Sequence, residues 1–143
     1  MGLPDPTPIQ LDIAEFMQHG PKRRIIQGYR GVGKSWMAAA FVLWRLRLDP
    51  QQKIMVNSAS GAEAKNFTTF CLQLIRDMPI LQCLEPQREE QRSAVHAFDV
   101  RQAKPDKSPS VKSVGIFGQI TGSRADLIIP DDIETPATSW SVG

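Results

Sequence analysis

The chain has 143 residues, 41% of them hydrophobic, with 17 basic against 15 acidic side chains and a formal charge of +2. That length gives one domain or part of one, and the apolar content supports a packed core rather than a disordered segment. The small charge does not by itself announce nucleic acid, so any such role must rest on features other than net charge. There is no leader of basic then apolar residues and no run of about 18 apolar residues, which points to a soluble intracellular chain. Cys71 and Cys83 are the only cysteines and form no C-x-x-C pair. They are expected to pack as small apolar groups, with neither zinc nor a disulfide.

In chain order, Thr7 caps a predicted helix with Pro8 in its first turn and Ile9, Ile13, Phe16 and Met17 as its apolar stripe. His19-Gly20-Pro21 stops it. Gln10 has two readings. Three residues after Thr7 it completes a capping box, and its amide could also donate to and accept from an adenine edge. Lys22-Arg23-Arg24 reads as a solvated strand edge, and Arg24-Ile25-Ile26-Gln27 as a short buried strand.

Gly28 to Ser35 then reads G-Y-R-G-V-G-K-S and fits G-x-x-x-x-G-K-[ST] at every fixed position. The chemistry explains the spacing. Gly28, Gly31 and Gly33 permit backbone turns that bring consecutive amides around an anion. The helix that follows aims its positive end at the same point. Lys34 adds charge for the β- and γ-phosphates, and the Ser35 hydroxyl can ligate Mg²⁺. The candidate nucleotide loop is thus Gly28, Tyr29, Arg30, Gly31, Val32, Gly33, Lys34 and Ser35, with ATP and Mg²⁺ as the expected substrate and ion.

In the helix to Leu48, the spacing predicts that Met37, Phe41, Trp44 and Leu48 face the sheet. Trp36 and Trp44 are read as packing residues. Lys53 to Asn57 is a buried strand, with Asn57 and Ser58 at the ligand-binding carboxyl edge. Ser60 and Glu63 form a second capping box, and Phe67, Cys71, Leu74 and Met78 carry that helix to Pro79. A strand–loop–helix–strand–helix order gives an α/β fold with a mostly parallel sheet. Ser93 to Val100 and Ser110 to Ile116 read as a hairpin pair, joined by an exposed basic loop from Arg101 to Pro109. Gly115 to Arg124 reads as a glycine-bearing loop.

Leu127 to Glu134 is an apolar strand ending in carboxylates, the expected second half of an ATP site. Pro130 belongs at the strand's end. Asp131 can reach the Mg²⁺ shell, and Asp132 or Glu134 can orient and deprotonate the attacking water. The longer Glu134 is slightly favoured for that role.

With the phosphate loop, S-P-S-V-K-S-V-G-I and G-S-R-A-D-L-I-I-P-D-D-I-E in place, the chain resembles the ATPase region of the large terminase subunit, or DNA maturase B, of short-tailed double-stranded DNA phages. The resemblance runs from about Gln10 to Gly143. It implies a P-loop NTPase fold of the ASCE, RecA-like type, with ATP hydrolysis driving duplex DNA into a procapsid. It also implies a homo-oligomeric ring on the portal protein, a small terminase subunit as partner, no membrane, and the host cytoplasm as location. Residue by residue, Gly28 to Ser35 matches the nucleotide loop, Arg30 an arginine near the γ-phosphate, Gln10 an adenine-contacting glutamine, and Asp131 the magnesium aspartate. Asp132 and Glu134 cover the catalytic carboxylate, and Arg124 is a candidate trans-acting arginine. Residues 1–143 are expected to be a partial P-loop ATPase domain. Such subunits continue into a nuclease domain, whereas this sequence stops nine residues after Glu134, and a fragment is expected. Three rivals stand beside that reading: another P-loop motor such as a helicase, a small-molecule phosphotransferase, and a non-catalytic nucleotide-binding remnant.

Overall fold

A computed structural model describes residues 4–28, 31–87, 89, 91–118 and 121–132. Its elements are α1 (Pro8–His19), α2 (Lys34–Leu48), β1 (Ile54–Ser58), α3 (Gly61–Asp77), a 3₁₀ turn (Pro79–Leu84), β2 (Ala97–Phe98), β3 (Val111–Gly115) and β4 (Leu127–Asp131).

Helix α1 begins with the full capping box. The Thr7 hydroxyl accepts from the Gln10 N–H at 3.3 Å, and Gln10 Oε1 accepts from the Thr7 N–H at 3.0 Å. No residue of α1 is buried. Its last turn is held by Arg24, whose guanidinium donates to the carbonyls of Phe16 and Met17. A cation on the carbonyl end of a helix is favoured by hydrogen bonding and by the dipole. Part of the basic run therefore has a structural task and is not merely a solvated edge.

The expected strand at Arg24–Gln27 is absent, and Ile25 is 86% exposed. An extended apolar pair becomes a strand only where a neighbouring strand takes up its backbone groups. Among the described residues none does. A groove of about 760 Å³ separates this segment from β4.

The sheet runs β2-β3-β1-β4, with β3, β1 and β4 mutually parallel and β2 antiparallel at one edge. This is the mixed α/β, mostly parallel arrangement that the element order implies. Ile54, Val56, Val111, Leu127 and Ile129 join α2 and α3 in one core. On the opposite face Ile128 is exposed, and Lys112 Nζ donates to Ser123 Oγ at 3.1 Å. Pro130 lies within β4, opposite Asn57. Among the described residues β4 is an edge strand, where a missing N–H is tolerated.

Helix α2 buries Ala38, Ala39, Val42, Leu43 and Leu46, and Leu48 is exposed. The predicted face of Met37, Phe41, Trp44 and Leu48 is therefore rotated away from the core. Most of α2 is apolar, so periodicity alone offers two competing stripes, and close approach selects the one bearing alanines. The second capping box is half formed: Ser60 Oγ accepts from the Glu63 N–H at 3.2 Å, with no return bond from the Glu63 carboxylate. The hairpin's first arm shrinks to β2 plus one bridge between Ser93 and Phe98. The basic loop after it is pinned by Arg92, which chelates Asp99 and donates to the carbonyls of Asp106 and Lys107 at 2.6 and 2.8 Å.

Candidate functional site

Because β1 and β4 are parallel and in register, Ser58 and Asp131 stand side by side at the carboxyl edge of the sheet. The start of α2 and the first turn of α3 meet that edge. Together they enclose an open cleft of about 850 Å³, onto which Gly33, Lys34, Ser35, Ser58, Glu63 and Asp131 all face.

Gly31 and Gly33 have φ of +93° and +87°, a region that side-chain-bearing residues avoid. A Cβ on Gly33 would also stand 3.2 Å from Gln10 Nε2. Gly33 caps α2 with no side-chain hydrogen bond, so the first amides of that helix keep their donors. Lys34 folds back, and its Nζ donates to the Gly28 carbonyl at 2.6 Å.

Asp131 is half-buried, and burial pushes its carboxyl above the ordinary value of 3.8. The Ser35 hydroxyl works against that shift, Asp132 adds to it, Lys34 opposes it and Glu63 adds to it. A carboxyl destabilised in this way, beside a hydroxyl and a lysine, suits a bound cation. Asp132 follows with φ +47°, the one described side-chain-bearing residue in the left-handed region. Strain of that kind recurs at ligand-binding turns.

The fold thus gathers Gly28, Gly31, Gly33, Lys34, Ser35, Ser58, Asp131 and Asp132 around one cleft. Val32 is buried just behind it. Asn57 points to the other face of the sheet, its Oδ1 buried without a hydrogen-bond partner among the described residues. Gln10 reaches the loop rather than the cleft, donating from Nε2 to the Val32 carbonyl at 3.0 Å. Arg124 does not face the cleft; its guanidinium lies 4.0 Å from Asp106. Tyr29, Arg30 and Glu134 lie outside the described residues.

Sequence reasoning missed Glu63 as a site residue. The capping-box pattern accounted for it fully, and only the half-formed box frees its carboxylate to face Asp131. Its position in the first turn after a parallel strand was the available signal. Trp36 packs on Phe70 with ring centroids 4.5 Å apart, forming an aromatic wall to the cleft. No helix among the described residues is long and apolar enough to cross a membrane.

No protein-family profile matches the chain. Over 144 aligned positions covering its whole length, it is 49% identical to the terminase large subunit of Enterobacteria phage T3. The chain spans about a quarter of that relative's length.

Proposed function

The chain belongs to the large terminase subunit family, and on that premise we propose that it carries the nucleotide site of a Mg²⁺-dependent, P-loop ATPase motor that drives duplex DNA into a procapsid. The observation that carries the reading is the meeting of Lys34, Ser35 and Asp131 in one cleft beneath a loop with two positive-φ glycines. The relative's name supports the packaging role.

In this reading the loop and the first turn of α2 present N–H groups to the phosphates, and Lys34 leaves the Gly28 carbonyl to neutralise phosphate oxygens. Ser35 and Asp131 would hold Mg²⁺, which supplies charge neutralisation for the triphosphate. Asp132 or Glu134 orients the attacking water and accepts its proton. Arg30 adds charge at the γ-phosphate. Catalysis is then mostly positional and electrostatic. The ring, the portal protein and the small terminase subunit belong to the same proposal, as does action in the host cytoplasm. Gln10 and the basic segments suit a helicase equally well, but the relative's name favours packaging.

The test is ATP turnover by the chain with and without duplex DNA. Lys34→Ala should lower turnover by about a hundredfold or more, and Glu134→Gln should retain ATP while abolishing its hydrolysis. Turnover no greater than that of Lys34→Ala would defeat the ATPase reading. Turnover that survives Glu134→Gln but not Asp132→Asn would move the base to Asp132.

A further inference from the structure

We propose that Glu63 is a specificity-determining residue: its carboxylate closes the start of α3 to phosphate, so that the cleft takes a triphosphate at α2, and takes it with a divalent cation rather than bare. This rests on the nucleotide reading of the cleft.

Two helix starts meet the cleft, and they are made differently. Helix α2 opens on Gly33 with no side-chain cap, has no acidic residue in its first turn, and begins with Lys34. Its free amides, its dipole and the lysine all favour an anion. Helix α3 is capped by the Ser60 hydroxyl, which accepts from the Glu63 N–H at 3.2 Å, and Glu63 is the acidic residue of its first turn. A carboxylate there offsets the positive helix end that would otherwise attract phosphate as α2 does.

The same carboxylate is left over from capping. It makes no return bond to the Ser60 N–H and faces the cleft with Asp131 and Asp132. After burial and Asp132, Glu63 is the remaining group that lifts the Asp131 carboxyl, so its field reaches the end of β4. Among the described residues no three His, Cys, Asp or Glu side chains could hold one ion together. Glu63 therefore acts through its charge and not as a third ligand. Its seat is firm: a Cβ on Gly115 would stand 2.8 Å from the Gly61 nitrogen and the Ser60 carbonyl carbon, so backbone packs the first turn of α3 against the sheet.

The cleft thus has an attracting wall at α2 and a repelling wall at Glu63, Asp131 and Asp132. A bare triphosphate, with about four negative charges, meets both. A divalent cation cancels about half of that charge and removes most of the repulsion.

The test is calorimetric binding of a non-hydrolysable ATP analogue to the parent, Glu63→Gln and Asp77→Asn, with excess Mg²⁺ and with a chelator. Glutamine keeps the size and polarity at position 63 without the charge, and Asp77→Asn removes an equal charge at the far end of α3. The parent should bind about tenfold or more tightly with Mg²⁺. In Glu63→Gln at low salt, binding in chelator should tighten about three- to tenfold, with Mg²⁺ binding changed by about twofold or less. Asp77→Asn should match the parent.

An unchanged Mg²⁺ advantage in Glu63→Gln overturns the proposal, and so does an equal shift in Asp77→Asn, which would make it an effect of net charge. Loss of Mg²⁺-dependent binding in Glu63→Gln overturns it by making Glu63 a ligand. A parent that binds equally well in both conditions defeats the proposal and leaves the nucleotide reading standing; a parent that binds in neither defeats both.

Discussion

On the β3 side of β1, Phe98, Val100 and Val111 are wholly buried, and Ile54, Met55 and Val56 of β1 are nearly so. On the β4 side, the strand alternates half-buried and exposed residues, α1 buries none, and a groove separates β4 from residues 22–26. The loop bearing Gly31 and Gly33 hangs between these halves. One half carries stability, while the other carries a loop that, among the described residues, receives one hydrogen bond from α1. Sparse packing is what permits a segment to shift without unfolding its neighbours. The division makes the loop's geometry adjustable at little cost to the core.

The largest expected effect tests that division directly. Phe98→Ala removes a fully buried ring and should cost about 3–5 kcal/mol. Phe16→Ala, on α1 and 39% exposed, should cost well under half as much. Denaturant unfolding of both variants gives the comparison. Equal losses would mean that α1 shares the core's stability and that the two halves are one unit.

A smaller effect sharpens the same contrast within the tight half. Gly115 ends β3 beneath the start of α3, and a Cβ there would lie 2.8 Å from both the Gly61 nitrogen and the Ser60 carbonyl carbon. Both are backbone atoms that cannot swing aside, so Gly115→Ala should cost about 1–3 kcal/mol. Gly61, with nothing within 4 Å of its own Cβ position, should accept alanine almost neutrally. Thermal unfolding of the pair checks this. A neutral Gly115→Ala would show that α3 can lift away from β3.

How much of this was legible follows the same boundary. Helix α1 with its Thr7–Gln10 box, β1, α3 and the strand ending at Asp131 are each set by local signals, and these appear where the sequence puts them. The G-x-x-x-x-G-K-S motif is likewise local, and the start of α2 brings its Lys34 and Ser35 to the cleft where Asp131 ends β4. What failed depends on neighbours. Arg24–Gln27 has strand propensity but, among the described residues, no strand beside it. The buried face of α2 was ambiguous because most of the helix is apolar. Glu63 satisfied one pattern so well that its second environment went unseen. Arg92, an ordinary charged residue by composition, pins a whole loop through contacts that no periodicity announces.

The smallest expected effect lies in the loose half, at Asp131. Burial, with Asp132 and Glu63, lifts its carboxyl above 3.8 against the pull of Ser35 and Lys34. A carboxyl that binds its proton more tightly folded than unfolded favours the folded state in acid. It costs stability as pH rises from the unfolded value through the folded one. Above that window the cost is complete. Asp131→Asn removes the charge and should raise the thermal midpoint at pH 7 in the presence of a chelator. The gain should shrink as pH falls and vanish below about pH 4, where the parent's carboxyl is protonated in both states. Midpoints measured from pH 3 to 8 would show it. A parent as stable as the variant at pH 7, or a gap that widens toward acid, would mean that Asp131 is already compensated within the chain. It would then have no unmet need for a cation, and the contrast between a settled core and an unsettled cleft would lose its electrostatic half.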